Sequence, residues 1–466
     1  MNWNTIGNGI LLFLRGFWAL LLTPIVLLGG ASVSVTRLAG EEAIRATRRD
    51  YVYDNDRLLL GAYNSWLQGD PGVLPPLAKE AGLDFVVSRV TDTFLDQCQA
   101  AGIGVIAGNY NLPTSYYTIP ESSEAAWKGL SMASYKGHPA LWGDDLIDEP
   151  TSAEFAKING MLASYYPLET GRLPYINLFP IYANEEQLGN SPDLGWKQYL
   201  LAGTTYSDEQ LDKYRRHTAD YIRAIDTDYI SVDIYPYKTY GTNDNWLHNL
   251  DILAEACRDT GRDLWVITQA AGNAVNKTDG ESQRWCDQKS DQLQQDYASL
   301  AFGAKAIIYA CLQTGWWDAD SHMLTYAGER TDTFRAVQAA NAELAPFARE
   351  YGKYDWRGAY LVNAARTAGS RYELANCPAK KDRLRISTPD GLLVGCFDAK
   401  EGGGKAYVIA NMMELLDQKT ASLCVTFPKG AAVTVYGGGE TKSYPDGGRV
   451  EITLEPGDGR FVTVDN

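Results

Sequence analysis

The sequence predicts an α/β protein, a (β/α)8 TIM barrel followed by a small antiparallel β-sandwich. Two observations carry that expectation. Between residues 57 and 315, eight short apolar runs alternate with longer amphipathic stretches. Continuous apolar runs in such alternation mark parallel strands buried on both faces. From about Trp356 the texture changes to short alternating runs divided by turn clusters, such as "SLCVTFPKG" and "AVTVYGGGETKSYPDGGRVEITL". That is the pattern of antiparallel strands with one face in water.

The barrel strands are expected within residues 57–66, 83–90, 102–111, 140–150, 173–180, 228–237, 263–271 and 304–315. Helix-period segments fall between them, among them "EFAKINGMLASYY" (154–166), "SDEQLDKYRRHTADYIRAI" (207–225) and "NLDILAEACRDTG" (249–261), with a last helix in 331–351. A doubly wound open sheet is the alternative, but no glycine-rich dinucleotide loop follows the first strand. The expected division is 1–34 as a signal peptide or N-terminal membrane anchor, 35–56 as a linker, 57–355 as the barrel and 356–466 as the sandwich. No low-complexity stretch parts barrel from sandwich, so the two are expected to dock directly.

The N-terminal expectation rests on a solid apolar run from Gly16 to Gly30, preceded by Arg15 and followed by Ala31 and Ser32. The run is short for a membrane span of roughly 20 residues, and small residues behind it suit a signal-peptidase site. Export is expected, either into the medium or to the outer face of the cell membrane through residues 10–30.

Composition narrows the partner. A formal net charge of −16 argues against nucleic acid, whose phosphates are bound through Lys and Arg. The 29 Tyr and 12 Trp exceed what a core needs, and both suit wet binding surfaces. Histidines at 138, 217, 248 and 322 and seven scattered cysteines show no metal-ligand spacing, so no metal or other cofactor is expected. Cys377 and Cys396 are a candidate pair in an oxidising compartment. No G-x-S-x-G elbow is present, which disfavours a serine hydrolase.

In barrels of this kind the working residues stand at the C-terminal ends of the strands. Strand one ends in Asn64 and Trp66, and strand three in Asn109, Tyr110 and Asn111. Strand four ends in "LWGDDLIDEP", with Asp148 and Glu149 at the rim before Pro150. Strand six carries Asp233, Tyr235 and Tyr237; strand seven ends in Gln269; strand eight offers Tyr309, Gln313, Trp316 and Trp317. Carboxylates for proton transfer, amides for hydroxyls and indole faces for pyranose rings make a sugar site. Simple alternation along strand four puts Asp145 and Ile147 on the side of Glu149, with Asp148 opposite. Asp144 and Asp145 read as structural. Asp233, within the apolar run "YISVDIYPY", needs a partner or a purpose.

"HPALWGDDLIDEP" followed by "ISVDIYPY" resembles barrel glycoside hydrolases whose fourth strand ends in Asp-Glu-Pro, either those of the wider retaining clan or β-N-acetylhexosaminidases with adjacent Asp-Glu. The resemblance implies hydrolysis of an extracellular oligo- or polysaccharide, with Glu149 as the acid. The clan's second glutamate, at the end of strand seven, is Gln269 here, which cannot serve as an anionic nucleophile. Two mechanisms are then open. In one, Asp233 activates water for inversion. In the other, Asp148 assists a 2-acetamido group of the substrate, with Tyr235 or Gln269 holding the acetamido oxygen. The candidate sugar-binding set is Asn64, Trp66, Asn109, Tyr235, Tyr237, Gln269, Tyr309, Trp316 and Trp317. The rival class is a non-catalytic glycan-binding protein on a degenerate barrel.

Overall fold

The computed structural model describes residues 42–64, 71–108, 137–189, 209–274, 282–313, 317–370 and 373–465. Eight strands form a closed barrel in sequence order: β1 (Leu59–Asn64), β2 (Phe85–Ser88), β3 (Gly104–Gly108), β4 (Leu141–Asp148), β5 (Leu173–Leu178), β6 (Tyr229–Asp233), β7 (Asp263–Gln269) and β8 (Ala304–Ala310). Every ladder is parallel, and β8 pairs back onto β1 from Leu59–Ala306 to Tyr63–Ala310. Each strand lies inside one of the eight predicted runs.

The described helices are α1 (Leu74–Glu80), α2 (Asp92–Ala101), α3 (Phe155–Leu168), α4 (Glu209–Ala224), α5 (Trp246–Thr260), α6 (Lys289–Ala301) and α7 (Asp332–Leu344), with a short α8 (Ala348–Gly352). Their ends have local causes. The Thr91 and Thr331 hydroxyls accept from the amides of Phe94 and Phe334, satisfying donors that the first turn of α2 and of α7 leaves free. Gly102, at φ 69°, ends α2 in a left-handed turn that costs glycine nothing.

Strand alternation sorts the apolar residues into two layers. Leu60, Val86, Val105, Ile176, Ile230, Val266 and Ile307 face the helices. Tyr63, Phe85, Ile106, Tyr175, Tyr229, Trp265 and Ile308 fill the barrel. The filling is largely aromatic: Trp142 lies 4.8 Å from Tyr53 and 5.7 Å from Phe85, and Trp265 lies 5.8 Å from Phe85 and 5.2 Å from Tyr229. Rings this large fit because the chain opposite them is bare. A Cβ on Gly61 would stand 2.4 Å from the Phe85 ring, and one on Gly104 2.1 Å from the Trp142 indole.

Residues 42–56, expected as part of a linker, instead close the floor of the barrel. Asp226, Asp228 and Asp263 stand at the starts of β6 and β7. Arg49 pairs with Asp226 at 2.8 Å, the Tyr51 hydroxyl donates to Asp228, and Arg48 holds Asp263 through two bonds of 2.7 and 3.0 Å. Tyr53 then seals the bottom by stacking on Trp142. Polar composition alone suggested a spacer; the acids that order this stretch are roughly 180 to 215 residues away. The apolar run at 10–34 lies outside the described residues. Among the described residues, no helix is long and apolar enough to cross a membrane.

The C-terminal part is a two-sheet sandwich. Its strands are β9 (Tyr354–Val362), β10 (Arg385–Ser387), β11 (Leu392–Ala399), β12 (Lys405–Asn411), β13 (Ala421–Phe427), β14 (Ala432–Gly437), β15 (Glu440–Tyr444), β16 (Gly448–Leu454) and β17 (Gly459–Asp465). One sheet runs β9-β11-β12-β17-β14-β15 and the other β10-β13-β16. One face of the larger sheet meets the smaller through Val394, Ile409, Val425 and Ile452. The opposite face, with Leu393, Phe397, Val408 and Phe461, joins the outer core of the barrel. The docking is intimate: the Trp356 indole donates to the Ala301 carbonyl at 2.9 Å, and the Gln294 amide reaches the carbonyls of Asn411 and Met413. Cys377 and Cys396 are free thiols.

Phe85→Ala removes the ring on which both Trp142 and Trp265 rest. It is expected to cost about 3–5 kcal/mol, read as a lowered urea midpoint. An unchanged midpoint would show that the aromatic filling does not hold the barrel together.

Candidate active site

The stretch "DLIDEPTSAE" builds the site's edge. β4 does not alternate simply. Its pairing with β5 skips a residue between Asp145 and Ile147, a bulge that puts two residues of one strand opposite one of the other. The bulge corrects the expected facing. Asp145 points into the barrel, where the Tyr63 hydroxyl donates to it at 3.1 Å, and Asp148 points the same way. Ile147 turns outward into the helix-facing core. Asp144 also faces outward and accepts from Tyr165 of α3 at 2.7 Å.

Glu149 follows at φ 52°, a left-handed conformation that costs a non-glycine residue roughly 1–2 kcal/mol. It is held there from both sides. Its amide donates to the Asn177 carbonyl at 2.8 Å, extending the ladder by one residue. After it, Pro150 ends the strand and Thr151 opens a capping box with Glu154 that leads to α3. The kink directs the Glu149 side chain toward Asp148 and Asp233.

One amide organises these acids. Asn177 Nδ2 donates to Asp148 at 3.0 Å and to Asp233 at 2.8 Å, which holds the two accepting oxygens within about 6 Å of each other. Two carboxyl acceptors at one end make that end the NH2, so Oδ1 faces Ser231 and accepts its hydroxyl at 3.1 Å. Ser231 has one proton and has given it to Asn177, so in its 2.8 Å contact with Tyr175 the tyrosine must donate. The relay runs from Tyr175 through Ser231 and Asn177 to both aspartates.

Electrostatics follows from this crowding. Burial raises the pKa of Glu149, and the charges of Asp233 and Asp148 raise it further. Asp233, only 7% exposed, is also raised, first by burial and then by Asp148, while the bond from Asn177 pulls it back. Asp145, deeper, is raised by burial and by Asp148. Carboxyls this close in a desolvated place do not all ionise together, so at neutral pH protons are retained among them. Among the described residues, no group of three or more His, Cys, Asp or Glu side chains is arranged to hold a metal ion.

Of the residues expected at the site, the structure brings together Asp148, Glu149, Asp233, Tyr235 and Trp317. The Tyr235 ring meets Trp317 edge-on at 5.0 Å, and its amide donates to the hydroxyl of Tyr182, an exposed ring beyond β5. Four others are placed elsewhere. Tyr309 is on the wrong parity of β8 and faces the helices, its hydroxyl within hydrogen-bond distance of Asn341 (2.7 Å) and Asp296 (3.0 Å). Asn64 is likewise on the outward parity of β1, its amide donating to Ser88 and its carbonyl accepting from the Gln313 amide. Tyr237 is buried against Trp246 and bonded to Gln294. Gln269 is wholly buried; its side chain is spent on the backbone of Tyr237 and on the Arg284 carbonyl, tying two loops together. Trp66, Asn109, Tyr110, Asn111 and Trp316 lie outside the described residues.

Asn177, Ser231, Tyr175 and Tyr182 were missed. A signal existed in "LPYINL": Asn177 shares the inward parity of Leu173 and Tyr175, and a polar side chain at a barrel-facing position needs partners.

No family model matches the chain, and no curated protein sequence matches it. Solved structures to which it is similar include one titled "Glycoside hydrolase" (10% identity, 90% of this chain and 97% of that chain, TM-score 0.48). Another is a glycoside hydrolase family 5 protein from Bacteroides vulgatus (10% identity, 90% and 94%, TM-score 0.43). A third is the endo-β-1,4-mannanase from Thermotoga petrophila (9% identity, 87% and 99%, TM-score 0.37). Likenesses this remote transfer no residue role to this chain.

The raised pKa of Asp145 makes a stability prediction. The native state keeps a proton that the unfolded chain releases above about pH 4. This contribution is therefore complete below that pH and is lost as pH rises through the native value. Asp145→Asn, always neutral, is expected to flatten the fall in stability between about pH 5 and pH 8, measured by urea unfolding at stepped pH. An identical slope in both proteins would mean that Asp145 is not held protonated.

Proposed function

We propose that the chain is a glycoside hydrolase acting on an extracellular oligo- or polysaccharide, with Glu149 as general acid and Asp233 as general base. The observation that carries this reading is the cluster of Asp148, Glu149 and Asp233 at the ends of β4 and β6, where crowding keeps a carboxyl protonated. A glycosidic oxygen leaves only when it is protonated, so a carboxylic acid still bearing its proton near neutrality is suited to the task. In an inverting reaction a second carboxylate activates water on the opposite face of the sugar, and Asp233 is the candidate for that role. β4 and β6 are separated by one strand, β5. Exposed Tyr182 and half-buried Trp317, the latter backed edge-on by buried Tyr235, supply ring surface for the sugar. Asn177 touches both aspartates rather than the substrate and is a positioning residue.

A second mechanism is favoured by exposure. Asp148 is half-buried while Asp233 is 7% exposed, so Asp148 is the better placed to meet a substrate's 2-acetamido group and orient it as the nucleophile. Retention of the anomer and dependence on the acetamido group would mark that route.

Product release from a panel of neutral and acetamido-bearing glycans tests the reading, with Glu149→Gln beside the wild type. The substitution keeps shape and removes the transferable proton, and kcat is expected to fall by about 10²–10⁴. Equal release by both proteins would remove Glu149 from the mechanism. Binding of a panel member without turnover by the wild type would favour the lectin-like alternative.

The pH profile follows from the signs. The base works deprotonated and gains activity as pH rises through its raised pKa; the acid works protonated and loses activity above its own. A bell in kcat/KM displaced to the alkaline side of ordinary carboxylates, about pH 4, is expected. In Asn177→Ala the Asp148–Asp233 pair loses its shared donor, so the acidic limb should move further up, and the loss of three hydrogen bonds should also lower the urea midpoint. A profile that does not move would reduce Asn177 to a packing role.

A further inference from the structure

The C-terminal sandwich carries a feature that the barrel reading does not use. Where its two sheets part, a cavity of about 500 Å³ opens beside Lys381, Arg383, Arg385, Lys405 and Lys429, with Asp382 as the one carboxylate in its lining. Buried Tyr407 and Phe427 contribute to its wall, and Thr426 adds a hydroxyl. The volume lies in the range of small-molecule sites, about 300–1,000 Å³.

The charge is out of keeping with the chain. There are 58 acids to 42 bases overall, so a carboxylate is statistically at hand for nearly every cation. Many cations take one: Arg48 has Asp263, Arg49 has Asp226, Arg57 has Asp84 and Arg172 has Glu169. Around the groove the balance reverses. Lys405 answers both nearby acids, Asp398 at 3.3 Å and Asp382 at 3.8 Å, and Arg357 shares Asp398 at 2.9 Å. Arg383 uses its Nε on the Pro378 carbonyl and lies 5.1 Å from the Tyr360 ring centre. Lys381, Arg385 and Lys429 are exposed, and no ion pair holds them among the described residues. Ladder register sets Thr426 directly between Arg385 and Arg449 on the exposed face of the small sheet, where Arg449 Nε reaches Cys424 Sγ and Glu451 follows on the same face. Like charges gathered this way repel, and each could be spread over an acidic protein at lower cost. A bound anion would offset that repulsion.

We propose that this groove binds an anionic carbohydrate, a glycan bearing carboxylate or sulfate groups, through its cations and its Tyr407–Phe427 wall. The choice of carbohydrate over other anions rests on the glycosidase reading of the barrel. The positive groove attracts an acidic polymer that the rest of a −16 chain repels, so it selects which polysaccharide the barrel meets.

The experiment uses the full chain with Glu149→Gln as background, so that binding is measured without turnover. Calorimetric titrations compare a galacturonate hexasaccharide, a sulfated oligosaccharide of similar length, a neutral glucose hexasaccharide and inorganic sulfate. Binding of one or both acidic sugars is expected, weakening as salt rises and falling about tenfold or more in Arg385→Glu/Lys429→Glu. Which acid binds tells carboxylate from sulfate recognition. Both substitutions are at exposed positions, and an unchanged urea midpoint verifies folding. Failure of both acidic sugars to bind, equal binding of the neutral sugar, indifference to the double substitution, or inorganic sulfate displacing the sugar at equal concentration would each overturn the proposal. Groove binding in a protein whose wild type releases no product would leave this inference standing and sink the barrel reading, so the two fail separately.

Discussion

Closing eight parallel strands into one cylinder forces every inward side chain to share a single narrow space. The rest of this structure depends on how that space is filled. From the floor upward it is taken by rings, with Tyr53, Trp142, Phe85, Trp265 and Tyr229 in mutual contact, and the glycines at 61 and 104 make room for them. The lower interior is mostly apolar ring surface, and polar inward groups collect at the upper end of the strands. There Asp145, Asp148, Asn177, Ser231 and Asp233 meet at the boundary between dry interior and mouth.

That boundary is what makes the carboxyls chemically useful. In water, three acids so near one another would ionise and repel weakly; above the aromatic filling the cost of charge is high and their protonation states are pushed apart. The Tyr175–Ser231–Asn177 relay keeps the arrangement from collapsing, because it supplies donors to the two aspartates and no further charge. The strained Glu149 is held in the same way, by an amide bond to β5 behind it and a rigid Pro150 and capped turn ahead.

The two ends of the barrel use charge in opposite ways. At the floor, acids at the starts of β6 and β7 are matched one for one by Arg48, Arg49 and Tyr51, and the chain there is ordered by pairing. At the mouth, Asp148 and Asp233 are held by the neutral Asn177 amide, and burial and their mutual repulsion favour keeping protons there. The sandwich groove inverts this once more, with cations gathered against one acid.

Much of the fold was legible without coordinates. All eight strands lie within the predicted runs, since an apolar run between amphipathic segments has few other fates. Glu149, Asp148 and Asp233 were legible as well, because acids at strand ends before a proline, or inside an apolar run, conflict with their surroundings. What failed was inference about facing and company. Tyr309 and Asn64 sit at strand ends but on the outward parity, and Gln269 is consumed by two loops that composition does not place. Residues 42–56 read as a spacer because their partners come so much later in the chain. The sequence by itself determined which segments become strands and helices and which acids must find a purpose, because period and composition are local. The bulge that turns Asp148 inward, the amide that bridges it to Asp233 and the desolvation that keeps a proton between them were decided only by tertiary structure. Each depends on atoms that closure of the barrel brings together from far apart in the chain.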